Sequence, residues 1–369
     1  MSTKTADPEP ASGRSMPEEF SPRHLRARVL QLGLLVVVVV AIIWATPGLS
    51  SLRDELKDAS GGWFVLAVVL EIGSTLSYVV IFRAVFCPRM SWRMSYQIGM
   101  AEQAANSLLP AGGAGGLALG AWALSRSGTP ADHIARRTVA FFLLTSLANL
   151  GALIVCALLF ALGLLKHDAA PGLTYAFLGI CIAAILVALS LPLVTRRSRA
   201  RRATLPAPTG KLRKVAIGTI DALGDGVRDA VSLLRQRQVG VLVGAFGYMA
   251  FDIAVLGACF RAFGHVPPFG VLVVAYIIGQ LGGLIPIPGG IGGTEGGLIG
   301  VFAIYNTPLA LTTAAVLIYR AIQLWLPAML GSVAFVQLRN ALRRETAPAA
   351  LCAPLADQIE TVQLPAPAS

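Results

Sequence analysis

Residues 279–306 read GQLGGLIPIPGGIGGTEGGLIGVFAIYN, an apolar stretch interrupted by prolines, glycines and one carboxylate. Pro286 and Pro288 lack a backbone N–H group, and the glycines that follow favour non-helical backbone angles. A bilayer offers no water to satisfy the freed backbone groups, so such a break is tolerated only against protein or beside a wet cavity. The stretch therefore predicts a broken helix inside a membrane, with a functional site at the break.

Glu295 follows this break directly. If a helix resumes near Thr294, its free amides and this carboxylate lie together, which suits anionic headgroups, cations or proton exchange. Glu295 is therefore the first candidate site residue. A role for the glycines in close helix packing alone stays open, because small residues serve that purpose in many membrane proteins. The candidate cradle consists of Pro288, Gly289, Gly290, Gly292 and Gly293.

The composition places most of the chain in a bilayer. Of 369 residues, 55% are hydrophobic and 13% are charged, and the mean hydropathy is +0.70. Several runs are long enough to cross a membrane, which predicts an all-α polytopic membrane protein of about eight to ten transmembrane or re-entrant helices. The net charge of +11 comes from basic residues in short loops and chain ends, as the positive-inside rule requires, so nucleic acid is not expected as a partner.

The basic clusters divide the chain into five segments. Residues 1–28 are polar and predict a disordered cytoplasmic N-terminus, and residues 29–195 form the first membrane half. Residues 196–237 predict a basic cytoplasmic loop and an amphipathic helix, residues 238–338 the second membrane half, and residues 339–369 a cytoplasmic tail. This division puts every basic cluster on one side, which predicts a cell (inner or plasma) membrane protein with both termini in the cytoplasm.

A shift of 177 residues matches two parts of the sequence. It pairs the GGAGG of residues 112–116 with the GGIGG of residues 289–293, and a proline precedes each cluster. Interrupted segments at corresponding places in two halves are typical of secondary transporters, which predicts a two-fold internal repeat with a site between the repeats. Whether the broken segments cross the membrane or re-enter it stays open. The first-half polar groups expected to face Glu295 are Glu102, Gln103 and Asn106, and Gln280, the match of Gln103, is a further candidate site residue.

Three further charged residues, Glu71, Asp252 and Arg320, lie within apolar runs. Charges at bilayer depth are costly and mark either functional sites or buried pairs. For Arg320, phosphate binding and a structural ion pair with Glu295 or Asp252 both stay open. For Glu71, a hydrogen-bonded structural role stays open beside a functional one.

The sequence carries no signature of catalysis. It has no nucleotide-binding loop and no serine elbow, and neither its histidines nor its five scattered cysteines stand at metal-ligand spacing. We therefore expect no catalytic residues, no metal, no cofactor and no enzyme activity.

The segment PIPGGIGGTEGGLIGVF resembles the flippase-like transmembrane family that includes the membrane part of lysylphosphatidylglycerol synthases and stand-alone proteins of the same type. The resemblance covers about residues 30–340. Its P-x-P-G-G-x-G-x-x-E motif ends here at Glu295, Asn106 and Leu109-Pro110 resemble its first-half motif, and Arg320 resembles its late intramembrane arginine. The first-half motif of the family commonly continues into an acidic residue and an arginine, whereas residues 117–122 here carry no charge.

The resemblance and the broken helices together imply a protein that moves a lipid or lipid-linked headgroup between leaflets. Residues 345–369 are too few for the aminoacyl-transferase domain of the synthases, so lipid aminoacylation by this chain is not expected. The implied partners are membrane lipids with anionic or phosphate-bearing headgroups, with a second copy of the chain or a membrane enzyme left open. Two alternatives remain: an ion-coupled small-solute transporter, and a non-catalytic partner of a membrane glycosyltransferase or lipid-modifying enzyme.

Overall fold

The computed structural model describes residues 30, 59–109, 114–162, 171–202, 211–283, 285 and 287–344. All regular structure in these ranges is helical, which confirms the predicted all-α class. The predicted N-terminal segment 1–28 and the tail after residue 344 lie outside the described residues, as do residues 29 and 31–58 at the start of the first membrane half. Ten helices occur in the described ranges: α1 (Gly61–Phe86), α2 (Trp92–Leu108), α3 (Ala114–Arg126), α4 (Ala131–Ala161), α5 (Pro171–Arg202), α6 (Lys211–Arg235), α7 (Val239–Ala262), α8 (Phe269–Gly282), α9 (Gly293–Ile304) and α10 (Leu309–Arg344).

Four helices in the described part of the chain, α1, α4, α7 and α10, are long and apolar enough to cross a membrane. Their outer faces expose large apolar side chains such as Val65 on α1, Phe246 on α7 and Val333 on α10. Contiguous apolar surface of this kind is rare on soluble monomers and suits contact with lipid. The protein is therefore a multi-pass membrane protein.

The helix boundaries repeat with the same 177-residue shift as the glycine clusters. Helices α1 to α4 begin at residues 61, 92, 114 and 131, and adding 177 gives 238, 269, 291 and 308. Helices α7 to α10 begin at residues 239, 269, 293 and 309. The chain is thus built from two four-helix repeats, with α5 and α6 between them.

The two repeats run in opposite directions. Ser60, which precedes α1, donates its backbone N–H to Ala262 at the end of α7 over 2.8 Å, so these equivalent helices are antiparallel. They also touch closely, because a Cβ on Gly244 of α7 would lie 2.6 Å from the backbone nitrogen of Ile81 in α1. Inverted repeats of this kind are a common architecture of secondary transporters.

Each repeat contains a hairpin of two short helices, α2 with α3 and α8 with α9. The partners pack antiparallel, with Gly116 of α3 against Asn106 of α2 and Gly297 of α9 against Gly279 of α8. These helices have 12 to 17 residues, or about 18–26 Å at 1.5 Å per residue, which is less than the roughly 30 Å of a bilayer core. Both hairpins therefore re-enter, and because the repeats are inverted they do so from opposite ends of the bundle.

The polar segments between the spans are more helical than expected. Helix α5 continues through its basic end to Arg202, past the predicted boundary at residue 195. Basic side chains favour the C-terminal end of a helix because they oppose its dipole, which accounts for the longer α5. The predicted amphipathic helix is α6, and Gly226 lets it pack closely against Val139 of α4.

One end of the bundle, called here the basic end, gathers most of the arginines that flank the spans, whereas Arg261 lies at the opposite end over Trp63. Arg83 at the end of α1 lies over Trp92 at the start of α2, and Arg93 shares a cavity with Asn340 near the end of α10. The opposite end holds the start of α1, the end of α7 and the start of α8. This division agrees with the one-sided distribution of basic clusters that the sequence predicts.

Candidate functional site

A cavity of about 180 Å³ lies where the two hairpin tips meet α1, α7 and α10. Glu71 is the eleventh of 26 residues in α1 and Asp252 the fourteenth of 24 in α7, so the cavity is near mid-span. Eight predicted site residues line it: Glu71, Gln103, Asn106, Asp252, Gln280, Gly289, Gly290 and Arg320. The shift of 177 residues maps Gln103 onto Gln280, and the inverted repeats bring both amides to the same cavity.

The tip of the second hairpin is a short 3-10 turn, Pro288–Gly290, followed directly by α9. Gly289, Gly290 and Gly292 have φ angles of 61°, 65° and 88°, a region that other residues occupy only at a cost. A Cβ on Gly290 would also lie 2.7 Å from the Cα of Gly283, so the turn closes tightly on the end of α8. Gly293 starts α9 against the backbone of α8. Pro288 is the first residue of the turn.

An ion pair ties this tip to α10. Arg320 donates from Nε to Oε1 of Glu295 over 2.9 Å, and it also donates to the carbonyl oxygen of Gly289 and, over 2.6 Å, to Oε1 of Gln323. The second oxygen of Glu295 accepts the backbone N–H of Gly292 over 2.6 Å and so closes the start of α9. Of the alternatives that the sequence left open for Arg320, the structure therefore shows the pair with Glu295.

Asp252 is buried among neutral donors. Its Oδ1 accepts from the Ser74 hydroxyl over 2.6 Å, and its Oδ2 accepts from the Tyr276 hydroxyl over 3.0 Å and from the Gln323 amide over 3.3 Å. Ser74 lies on α1, so this carboxylate joins the two repeats at their contact. Hydrogen bonds to the charged form offset part of the cost of burying it.

Glu71 is the least satisfied group of the cavity. The residue is 2% exposed, and its Oε2 atom has no hydrogen-bond partner among the described residues. A buried polar atom without a partner is costly and marks a place where a water, an ion or a ligand group is missing. Among the described residues that line the cavity, Glu71 therefore carries the one buried side-chain oxygen without a hydrogen-bond partner.

The remaining polar groups of the first hairpin divide between the cavity and the helix packing. Asn106 accepts the backbone N–H of Gly116 over 2.8 Å, which holds α3 against α2, and it also lines the cavity. Gln103 reaches the carbonyl of Thr75 over 3.4 Å. Glu102 was expected to face Glu295, but this expectation is wrong, because Glu102 points to α3 and accepts from the Tyr78 hydroxyl over 2.9 Å.

Several residues of the site carry no strong signal in the sequence. Tyr276 and Ser74, the donors to Asp252, resemble ordinary core residues of apolar helices. Tyr248, which lines the cavity, is the counterpart of Glu71 under the 177-residue shift, so the repeat could have identified it. Gln323 follows Arg320 by three residues on one helix face, a spacing that places the two side chains side by side.

The described residues do not bring together a metal site: no group of three or more histidine, cysteine, aspartate or glutamate side chains is arranged to hold an ion. What the cavity offers is a set of carboxylate, amide, hydroxyl and backbone groups at mid-span. Such a set can bind and release a polar group in surroundings that otherwise exclude one.

Residues 30–331 match the family described as Lysylphosphatidylglycerol synthase TM region. The chain belongs to this family. The matched range of this lysylphosphatidylglycerol synthase TM region contains both hairpins and every residue that lines the central cavity. The result confirms the resemblance carried by the glycine-broken segment.

A relative is the UPF0104 membrane protein of Methanothermobacter thermautotrophicus, which is 32% identical over 118 residues, or 32% of this chain and 33% of that protein. The match thus spans about a third of that relative. No solved structure matches the chain.

Proposed function

We propose that this protein moves a lipid or lipid-linked headgroup between the leaflets of the cell membrane, without covalent chemistry of its own. The observation that carries the proposal is the meeting of two re-entrant hairpins, from opposite ends of the bundle, at one polar cavity. Each hairpin closes one side of that cavity with half-length helices, so a small movement of either tip changes the side to which the cavity opens.

The position of the cavity favours a lipid over a water-soluble cargo. Ile287 lines the cavity and is 42% exposed, and its neighbours Leu281 and Ile285 are exposed as well. These apolar side chains place the wall of the cavity next to the surface that faces lipid. A headgroup can then enter sideways while its acyl chains stay in the bilayer.

The size of the cavity agrees with a headgroup that lies inside it and acyl chains that stay outside it. A volume of about 180 Å³ corresponds to roughly six water molecules at 30 Å³ each. It accommodates a phosphate-sized or small polar headgroup and excludes a whole lipid. The expected partners are therefore lipids with anionic or phosphate-bearing headgroups.

The ion pair between Glu295 and Arg320 supplies a switch for binding and release. In the present arrangement, Glu295 and the Gly289 carbonyl occupy the guanidinium of Arg320. A phosphate that displaces Glu295 would form the same kind of charge-assisted hydrogen bond and would free the tip of the second hairpin. Glu71 would receive the remaining donors of the headgroup with its unpartnered oxygen.

Leaflet transfer in proteoliposomes tests the proposal. Labelled anionic, aminoacylated and polyprenyl-linked lipids are compared for the wild type, Glu71→Gln and Glu295→Gln. The matched control is Glu102→Gln, because Glu102 is as buried as Glu71 but does not line the cavity. We expect transfer of one lipid class and near-normal transfer in the control. Glu71→Gln, which changes the cavity lining, and Glu295→Gln, which changes the partner of the lining residue Arg320, should each lose at least tenfold, the effect of about one charge-assisted hydrogen bond.

Three outcomes would contradict the proposal. Equal transfer by the wild type, Glu71→Gln and Glu295→Gln would exclude this cavity as the path. Uptake of a water-soluble compound without lipid movement would favour the solute transporter. Restoration of a membrane enzyme's activity by Glu295→Gln in a deletion strain, without any lipid transfer, would favour the partner role.

The orientation is part of the proposal. Most of the arginines that flank the spans gather at the basic end, and the positive-inside rule assigns that end to the cytoplasm together with both termini. Protease or label accessibility of tags at the two termini in sealed cells tests the assignment. Labelling of either tag from outside intact cells would contradict it.

A further inference from the structure

A second cavity, of about 400 Å³, opens at the basic end between the start of α2 and the last turns of α10. It shares no lining residue with the central cavity. Five of its seven lining residues have polar or charged side chains, and none of the seven is a carboxylate. The residues around it are Ser91, Arg93, Met94, Gln97, Gln337, Asn340 and Ala341.

Gln97 forms the floor of this cavity and lacks a partner. The residue is 2% exposed, and its amide nitrogen Nε2 makes no hydrogen bond within the described part of the chain. A buried donor left unpaired costs free energy that a bound acceptor would recover. Gln97 thus contributes a buried donor without a partner to the lining of the cavity.

The rest of the cavity also favours an acceptor that carries negative charge. The exposed Arg93 stands at its rim, one turn before Gln97 on the same helix. The 17-residue helix α2 begins here, with Ser91 capping it by accepting the N–H of Met94 over 3.2 Å. The positive end of the helix dipole therefore points the same way as the side-chain donors.

The inverted repeat provides an internal comparison. Under the 177-residue shift, Arg93 corresponds to Gly270, Gln97 to Val274, and Gln337 to Phe160 of the other repeat. There the Phe160 ring packs directly on Gly270, and Val274 is buried. The equivalent place in the second hairpin is thus filled by apolar side chains, whereas in the first hairpin the same three positions carry two amides and a guanidinium around a cavity.

The depth of the cavity matches that of lipid headgroups. Trp92, the first residue of α2, is 57% exposed, and the Arg83 guanidinium lies 4.4 Å from its ring centre. Exposed tryptophans and arginines at the end of a span are typical of the membrane–water interface.

We propose that this cavity is a binding site for a phosphate group, carried either by a lipid headgroup of the adjoining leaflet or by a soluble phosphate compound. Arg93 and the Gln97 amide donate to the phosphate oxygens, and the start of α2 adds its dipole. Occupation of the site ties the base of the first hairpin to α10. The site is separate from the central cavity, so it does not depend on the transport proposed above.

Native mass spectrometry of the full chain in detergent tests the site. The probes are phosphatidylglycerol and diacylglycerol with the same acyl chains, so that they differ in the phosphate-bearing headgroup. Arg93→Gln removes an exposed charge without disturbing the core, and the control Arg89→Gln removes an exposed arginine that does not line the cavity. The double variant Gln97→Val/Gln337→Phe copies the apolar filling of the other repeat.

We expect Arg93→Gln to weaken phosphatidylglycerol binding by about tenfold, the effect of one charge-assisted hydrogen bond, and the double variant to abolish the site-specific binding. Diacylglycerol binding and the Arg89→Gln control should match the wild type. Competition by millimolar inorganic phosphate would assign the site to soluble phosphate, and its absence would assign the site to the lipid headgroup. The proposal would be overturned if Arg93→Gln and the double variant both bound phosphatidylglycerol as tightly as the wild type does. For this comparison, the double variant must melt at the same temperature as the wild type.

Discussion

Glu295→Gln is the most informative single substitution, because it removes one charge from the tip of the second hairpin and keeps the shape of the side chain. The Arg320 and Glu295 side chains are 8% and 15% exposed, and their nearest atoms are 2.9 Å apart. Removal of one partner of a buried pair leaves the other charge unpaired and costs about 3–5 kcal/mol. Glutamine keeps a carbonyl oxygen for Arg320 or Gly292, so we expect a loss at the lower end of this range. The free energy of unfolding should fall by about 3 kcal/mol, which is a roughly 150-fold change in the unfolding equilibrium constant.

A double-mutant cycle separates this pair from general damage. Glu295→Gln, Arg320→Gln and the double variant are unfolded with increasing denaturing detergent, and the helical circular dichroism signal is followed. We expect the double variant to cost about 2 kcal/mol less than the sum of the single variants, since the second substitution removes the unpaired charge. The control Asp132→Asn breaks an exposed pair with Arg136 and should cost less than about 1 kcal/mol.

Two results would refute this reasoning. A stability of Glu295→Gln equal to that of the wild type would mean that the ion pair does not hold the tip. Additive costs in the cycle would mean that Glu295 and Arg320 act independently.

The same unfolding measurement checks three further predictions. Gly244→Ala pushes α7 away from the backbone of α1 and should lower the free energy of unfolding by about 1–3 kcal/mol. Gly296 lies in α9, and a Cβ added there has no neighbouring atom within 4 Å, so Gly296→Ala should raise the free energy of unfolding by about 0.5–1 kcal/mol. Gly290 and Gly292 both have positive φ angles, but only a Cβ on Gly290 would meet a neighbouring backbone. Gly292→Ala should therefore lower the free energy of unfolding by about 1–2 kcal/mol, and Gly290→Ala should lower it by more. Asp252→Asn leaves one oxygen for three donors and should cost about 1–3 kcal/mol, and a wild-type stability would contradict the hydrogen-bond network.

The helical fold was predictable because its signals are local. Helix α1 is recognisable as a span, because residues 61–86 form a largely apolar run that is long enough to cross a bilayer. The glycine clusters predicted the breaks, and their 177-residue spacing predicted the repeat. The end of α5 was misplaced, because hydropathy marks the limit of the bilayer and a helix can continue beyond it.

The partners within the site were less accessible to sequence reasoning. Glu102 and Gln103 are adjacent in sequence, but successive residues of a helix point about 100° apart, so one faces α3 and the other the cavity. The choice between Glu295 and Asp252 as the partner of Arg320 depends on how three helices are rotated and spaced. No local pattern encodes that arrangement, because it results from the packing of the two repeats.

Photocrosslinking from the wall of the central cavity tests most directly whether a headgroup enters it from the bilayer. A photoreactive residue replaces Ile287 in native membranes, and the lipids that it captures are identified by mass spectrometry. The control carries the same photoreactive residue in place of Leu186, which is exposed on α5 and does not line the cavity. We predict that position 287 enriches one phosphate-bearing headgroup class over the bulk lipid and that Glu71→Gln removes this enrichment. Capture of bulk lipid in the same proportions from both positions would contradict the account.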